Sequence, residues 1–207
     1  MKKILHLCAD TGSDSKPWAD AGYEVILIGS DIGVENYTPP DDVYGIFANP
    51  PCTEFSIART GGKARLHSEG MFLVKECQRI IKQANPKFWV IENPATGALK
   101  KFIGEPDYKY QPWWYGSPWT KETALWGNFN IPQRVYYEWK DVPKNDKLYI
   151  RNRGNRATNK PALYQMHKSS YNLIPEFQTL PDPKSDMEFR SLCSQKFANA
   201  FYQANRL

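Results

Sequence analysis

Little in this sequence would anchor it in a membrane, around a metal or in a disulfide framework. No apolar run approaches the ~20 residues that span a bilayer. The first one, Ile4 to Cys8, follows Lys2-Lys3 but reaches Asp10 too soon for a secretory signal. It reads as the first strand of a cytoplasmic protein, with no membrane partner. The chain has only four cysteines (Cys8, Cys52, Cys77, Cys193) and three histidines (His6, His67, His167). No pair has the spacing of a zinc knuckle or a redox dithiol, so no metal site is expected and reduced thiols are the default. Internal repeats and low-complexity tracts are missing. Neither sign of charge dominates: 27 Lys and Arg against 22 Asp and Glu leave +5, a mild bias toward a polyanionic partner. With 41% hydrophobic and 24% charged residues over 207 positions, the chain can bury a core and is not disordered.

What is present is organised around Tyr44 to Ser56. The apolar run Val43 to Ala48 enters Asn49-Pro50-Pro51, and Cys52 follows at once. Two prolines give a strand a stiff exit, because each ring locks φ and removes a donor. That holds one thiol at the carboxyl edge of a sheet, where open α/β sheets bind ligands. A buried structural cysteine after a turn is the competing reading of this stretch.

Upstream, Lys3 to Cys8 predicts a strand and Ala9 to Ser15 a small-residue turn. Ser15 to Gly22 predicts a short helix capped by Ser15, with Pro17 in its first turn. Tyr23 to Gly29 predicts a second, β-branched strand. Strand, turn, helix, strand is the opening of a nucleotide-binding α/β sheet, in which Asp31 is placed to take a ribose. The turn has one glycine, Gly12, where the strong fingerprint has three. Between Asp31 and Cys52 there is no room for a further helix and strand, so the sheet is trimmed.

Downstream, Ser68 to Gln83 predicts the clearest helix, with Phe72, Leu73, Cys77, Ile80 and Ile81 on one face, stopped by Asn85-Pro86. Phe88 to Ile91 predicts a strand running into Glu92-Asn93-Pro94. If that strand is a parallel neighbour of 43–48, a carboxyl able to carry a proton lies at the edge that holds Cys52. A solvated glutamate in a turn is the plainer alternative. Tyr108 to Trp119 is dense in aromatics, and Thr123 to Phe129 predicts another strand. Residues 138–186 are polar and loop-rich, with Lys147, Arg151, Arg153, Arg156 and Lys160 as a solvated or phosphate-contacting basic run. A last helix over 194–204 carries Phe197, Ala200 and Phe201 as an apolar stripe that should dock on the sheet. The whole is read as one domain over 1–207.

The order of these segments resembles the DNA cytosine-5 methyltransferases, and more closely their short bacteriophage versions. Leu5 to Val25 is similar to the loop that binds S-adenosylmethionine, Asn49 to Ser56 to the nucleophile motif, Ile91 to Pro94 to the proton-donor motif, and Phe197 to Phe201 to the closing segment. The resemblance implies a trimmed Rossmann-like α/β sheet and a cytosine-5 methyltransferase working on duplex or single-stranded DNA, in the bacterial host cell if the chain is phage-encoded. It implies Cys52 and Glu92 as catalytic residues, and Pro51, Ser56, Asn93 and Lys121 as substrate-binding ones. It implies Asp10, Thr11, Gly12, Ser13, Asp31, Asn49 and Pro50 as binders of the cofactor. The pattern departs from the family at Asp10, where a glycine is usual, and at Thr123, where an arginine is usual. Residues 138–186 are too few for a full target-recognition domain. Two other readings stay open: the same chemistry on a free cytidine nucleotide or with a modified cofactor group, and a degenerate protein that binds DNA or a partner without catalysis. Asn49-Pro50-Pro51 also matches the amino-methyltransferases, which would need an aromatic residue where Cys52 stands.

Overall fold

A computed structural model describes residues 2–9, 11–56, 66–149 and 160–206. The chain divides into two compact units, one formed by 1–109 with 123–129 and the other by 110–122 with 130–207.

The first unit is built on strands β1 (Lys3–Leu7), β2 (Glu24–Ile28), β3 (Val43–Ala48), β4 (Phe88–Pro94) and β6 (Thr123–Asn128), with the edge strand β5 (Tyr108–Tyr110), whose last residue is counted in the second unit. Their order in the sheet is β2-β1-β3-β4-β6-β5. β2, β1, β3 and β4 are parallel, and β6 runs antiparallel to β4. The chain steps from β1 outward to β2 and then returns to the other side of β1 for β3. That reversal makes the carboxyl ends of β1 and β3 the switch point of the sheet, where α/β folds place their ligands. It is a Rossmann-like sheet, and it is trimmed: no helix joins β2 to β3. The connecting loop is instead fastened to the helix α2 (His67–Ala84) by Arg79, whose guanidinium donates to the carbonyls of Val34 (3.0 Å) and Tyr37 (3.1 Å).

One sheet face packs under α2. Leu5, Leu7, Ile46, Ala48 and Ile91 meet Val74, Cys77, Ile80 and Ile81 there. Phe72 is not on this face. It lies half a turn from Gly70 and Val74, both buried, and is 53% exposed, contrary to the stripe expected from the sequence. α2 ends on Asn85, in the left-handed region at φ 44°, whose N–H donates to Ile81 O. Elsewhere the unit holds two short helices, α1 (Lys16–Asp20) and α3 (Lys100–Ile103), and Trp18 of α1 is fully buried, 5.1 Å from Phe47 and 5.4 Å from Phe88 between ring centres. Ser15 does precede α1, but its hydroxyl makes no cap bond. It is taken up by His6 and the Gly12 carbonyl.

Among its described residues the second unit has little regular structure beyond α4 (Asp186–Ser191) and α5 (Gln195–Asn205). Short 3-10 turns within 139–149 and 163–177 wrap a core of Trp119, Leu163, Ile174, Phe177, Phe189 and Leu192. Glu176 ties it together: one carboxylate oxygen accepts from Trp119 Nε1 (3.1 Å), the other from Ser194 Oγ and the Lys196 N–H. Ser194 caps α5 by accepting from the Phe197 N–H, and Phe197 stacks on Tyr110 at 3.6 Å. Among the described residues no helix is long and apolar enough to cross a membrane.

Two glycines of the sheet leave no room for a Cβ: one added at Gly45 of β3 would lie 2.1 Å from Phe88 Cε1, and one at Gly127 of β6 would lie 2.1 Å from Trp89 O. Gly45→Ala is expected to destabilise the protein by about 1–3 kcal/mol through overpacking, read as a lower urea midpoint at constant m-value.

Candidate active site

β3 and β4 are parallel neighbours with Ala48 opposite Ile91. The two strands therefore release their next residues at the same edge. On β4 the next residue is Glu92, half-buried and opposite Leu125 of β6. On β3 the chain passes through Asn49, Pro50 and Pro51 to Cys52, which is exposed. Cys52 opens a tight turn: its carbonyl accepts from both the Phe55 N–H (2.9 Å) and the Ser56 N–H (2.7 Å). Ser56 is half-buried at the end of that turn, and Pro51 is exposed.

Three contacts bind the two strand exits together. Asn93, with 0% exposure, donates from Nδ2 to the Pro50 carbonyl at 3.0 Å. Its Oδ1 is buried without a hydrogen-bond partner. The Ala98 N–H donates to Phe55 O at 2.8 Å. Gly97 sits where an added Cβ would come 3.0 Å from Pro94 O and 3.2 Å from Phe55 O, so the backbones meet without a side chain between them. Thr123 is fully buried opposite Pro94, on the strand that flanks this exit.

A second set of ties links the exit of β3 to the loop after β1. His6 is 2% exposed, and its Nδ1 lies 2.9 Å from Ser15 Oγ and its Nε2 3.2 Å from Asn49 Oδ1. Asn49 Nδ2 donates to Asp14 Oδ2 at 3.3 Å, and His6 Nε2 is 3.8 Å from that same oxygen. Asn49 thus bridges two loops through side-chain bonds. His6 and Asp14 were not singled out from the sequence: a lone histidine inside an apolar strand gives no sign that its ring joins loops at the switch point.

Of the expected cofactor residues, Thr11, Gly12 and Ser13 form the loop after β1. Gly12 has φ 65°, in the left-handed region, and a Cβ there would lie 3.2 Å from a Leu27 methyl. Thr11 Oγ1 donates to Ser13 Oγ (3.3 Å), and Ser13, 1% exposed, reaches Asp14 Oδ2 at 3.4 Å. Asp31 is exposed in the turn that follows β2. Beside it Ile32 is 48% exposed, an apolar side chain at a sheet edge that the strand pattern alone did not flag. Pro50 is buried. Asp10 lies outside the described residues, as do Arg151, Arg153 and Arg156 of the basic run. Lys121 belongs to the second unit, where its Nζ donates to the carbonyls of Ser191 (2.9 Å) and Leu192 (3.2 Å) at the end of α4. That is a helix C-cap by a cation. Among the described residues there is no group of three His, Cys, Asp or Glu able to hold a metal.

The four thiols are sharply different. Cys77 is in the core, 3.8 Å from Cys8 between sulfurs, and its thiol is pushed far up by a hydrogen bond with Cys8 and by burial. Cys193 is 3% exposed, and Cys8 is half-buried. Under native conditions iodoacetamide is expected to alkylate Cys52 first and to leave Cys77 and Cys193 unmodified until denaturant is added. Peptide mass mapping over time reads the order, and early alkylation of Cys77 would contradict the packing of α2.

Residues 24–100 match the family profile described as C-5 cytosine-specific DNA methylase. That span holds both strand exits, with Cys52 and Glu92, and leaves out Thr11 to Ser13 and Lys121. A viral protein of Frog virus 3 (isolate Goorha), named "Probable DNA (cytosine-5)-methyltransferase", is 33% identical over 152 residues, covering 60% of this chain and 69% of that protein. Among solved structures, a prophage-encoded E. coli protein described as a candidate DNA modification methyltransferase aligns at a TM-score of 0.48 with 15% identity, covering 75% of this chain. The chain spans 56% of that structure's length. On the profile and the viral relative together, the chain belongs to the C-5 cytosine-specific DNA methylase family.

Proposed function

We propose that the protein methylates carbon 5 of cytosine in DNA, with Cys52 as nucleophile and Glu92 as the proton donor. The observation that carries this is the shared sheet edge: one exposed thiol and one half-buried carboxyl leave adjacent parallel strands, and Asn93 ties their exits together. Carbon 5 of cytosine is too weak a nucleophile to take a methyl group unaided. Addition of the Cys52 thiolate to carbon 6 forms the S–C bond and moves the electron pair through the ring, so that carbon 5 becomes an enamine carbon. Glu92 protonates N3 as that charge arrives. After carbon 5 has gained its methyl, N3 returns its proton to Glu92 and a base takes the proton from carbon 5; the electron pair left behind restores the C5–C6 double bond and expels Cys52 as thiolate. A base inside a duplex must leave the stack to reach such a site.

The residues after β1 and β2 fit S-adenosylmethionine. Gly12 holds a backbone conformation that other residues rarely adopt, which leaves the Thr11-to-Ser13 loop free of a side chain at that point. Asp31 is an exposed acceptor suited to ribose hydroxyls, and the exposed Ile32 beside it suits the face of a base. The chemistry that cofactor supplies when bound is an electrophilic methyl on a sulfonium. Thr11, Gly12, Ser13, Asp31 and Ile32 would hold it. Asn49 and His6 keep the loop and the nucleophile turn in register by the bonds described above.

The test is transfer of label from methyl-labelled S-adenosylmethionine, with duplex DNA, single-stranded DNA and dCMP in parallel. Label is expected on DNA. Cys52→Ser should abolish it, and Glu92→Gln should lower kcat by about 10²–10⁴-fold. Label on dCMP alone would move the substrate to free nucleotides, and transfer undiminished in Cys52→Ser would refute the nucleophile assignment.

A further inference from the structure

Arg134 and Lys160 of the second unit each lie against aromatic rings and have no acid partner among the described residues. The Arg134 guanidinium lies 3.7 Å from the centre of the Trp114 ring and 5.0 Å from that of Tyr137. The Lys160 amine lies 4.4 Å from the centre of Trp113 and 5.7 Å from that of Trp139. Trp113 and Trp114 are adjacent and perpendicular, with centres 6.0 Å apart, and Trp113 meets Trp139 in the same way at 6.1 Å. Neither Arg134 nor Lys160 has an ion pair or hydrogen bond among the described residues, and Arg134 Nε is buried without a partner. The nearest acid in sequence, Glu138, is paired with Lys140 at 2.7 Å.

The scaffold under Arg134 is fixed. The Trp114 carbonyl accepts from both the Val135 N–H (3.0 Å) and the Tyr136 N–H (2.9 Å), and the Tyr115 hydroxyl donates to Pro132 O at 3.1 Å. Tyr136 packs against Gly116, where an added Cβ would lie 3.0 Å from its ring. Tyr137 in the same segment is 67% exposed. Aromatic faces hold a cation in place without consuming its N–H donors. A carboxylate partner would consume them. An arginine so held, with an exposed tyrosine beside it and a lysine on the adjoining indole, presents donors for phosphate oxygens and a ring for stacking.

We infer that the face formed by Trp114, Arg134, Tyr137 and Lys160 is a second nucleic-acid contact, and that Arg134 and Lys160 bind phosphates of the DNA strand. The inference rests on the proposed function only in taking DNA as the polyanion. Charge points to that occupant: Arg134 and Lys160 have no acid partner among the described residues, on a chain of net charge +5.

The experiment is the salt dependence of binding to a fluorescent cytosine-containing duplex, read by anisotropy. Each phosphate contact contributes roughly 0.9 to the slope of log K against log[salt] on duplex DNA. Arg134→Gln/Lys160→Gln is expected to lower the slope by about 1.8, two contacts' worth. The charge-matched Lys75→Gln/Lys101→Gln, exposed in the first unit, is expected to leave it unchanged. Equal effects of the two double variants, or an unchanged slope in the first, would overturn the inference. If near-UV circular dichroism shows the first variant misfolded, Lys160→Gln alone, at an exposed position, should lower the slope by about 0.9, and no change would overturn it. Cys52-dependent label transfer with DNA saturating reads the proposed function separately. Normal transfer with an unchanged slope defeats this inference alone, and the expected slope change without transfer defeats only the proposed function.

Discussion

The site depends on one buried amide. Asn93 cannot reach water, and its Nδ2 has the Pro50 carbonyl as a partner on the neighbouring strand exit. Parallel pairing of β3 with β4 aligns the strands only as far as Ala48 and Ile91. Beyond that rung β3 ends, while β4 runs on against β6 as far as Pro94, and Pro50 and Pro51 offer no N–H to prolong the pairing of β3 with β4. The Asn93 bond takes over where the ladder stops. A buried carbonyl left without a partner costs about 1–3 kcal/mol, so the alignment of the two exits is enforced rather than incidental. The meeting of Gly97 with the Phe55 carbonyl and the bond from Ala98 to that carbonyl extend the same constraint past the Cys52 turn.

From there the geometry spreads toward β1. Asn49 leaves β3 one residue past its last strand position, and both ends of its side-chain amide are engaged, by His6 and by Asp14. The consequence is mechanical. The loop that follows β1 and the turn that carries the thiol share one polar network, so movement of either is felt by the other. Such a buried network stabilises only when its members are satisfied, and here Ser15 forgoes its ordinary capping bond in order to join it.

Much of this was legible in the sequence where local chemistry is self-sufficient. Val43 to Ala48 announces a buried strand by composition, and Asn-Pro-Pro-Cys and Glu-Asn-Pro announce stiff exits. That the two exits meet is a tertiary fact, carried by Asn93, which reads in sequence as part of a turn. His6 is hidden for the opposite reason: strand alternation puts it away from Leu5 and Leu7, and periodicity does not say what that other face meets. Phe72 misleads because its size suggests core, whereas the buried positions of α2 follow Gly70, Val74, Cys77 and Ile81. Apart from the last helix, the second unit offers little period to read, since much of its core comes from 3-10 turns too short to show one. Lys121 and Arg134 illustrate the result: one cation spends its donors on helix carbonyls, the other keeps them.

The proposed chemistry turns on one bond, between Cys52 and carbon 6 of a cytosine held at this sheet edge. The most direct measurement uses a duplex with 5-fluorocytosine in place of cytosine, incubated with the protein and S-adenosylmethionine and then digested for mass mapping. Fluorine cannot leave carbon 5 as a proton does, so the adduct should persist. A methylated nucleotide attached to the peptide that contains Cys52 is expected, and its loss in Cys52→Ser. Turnover or cofactor consumption on such DNA with no adduct, or an adduct on Cys8, Cys77 or Cys193, would contradict it.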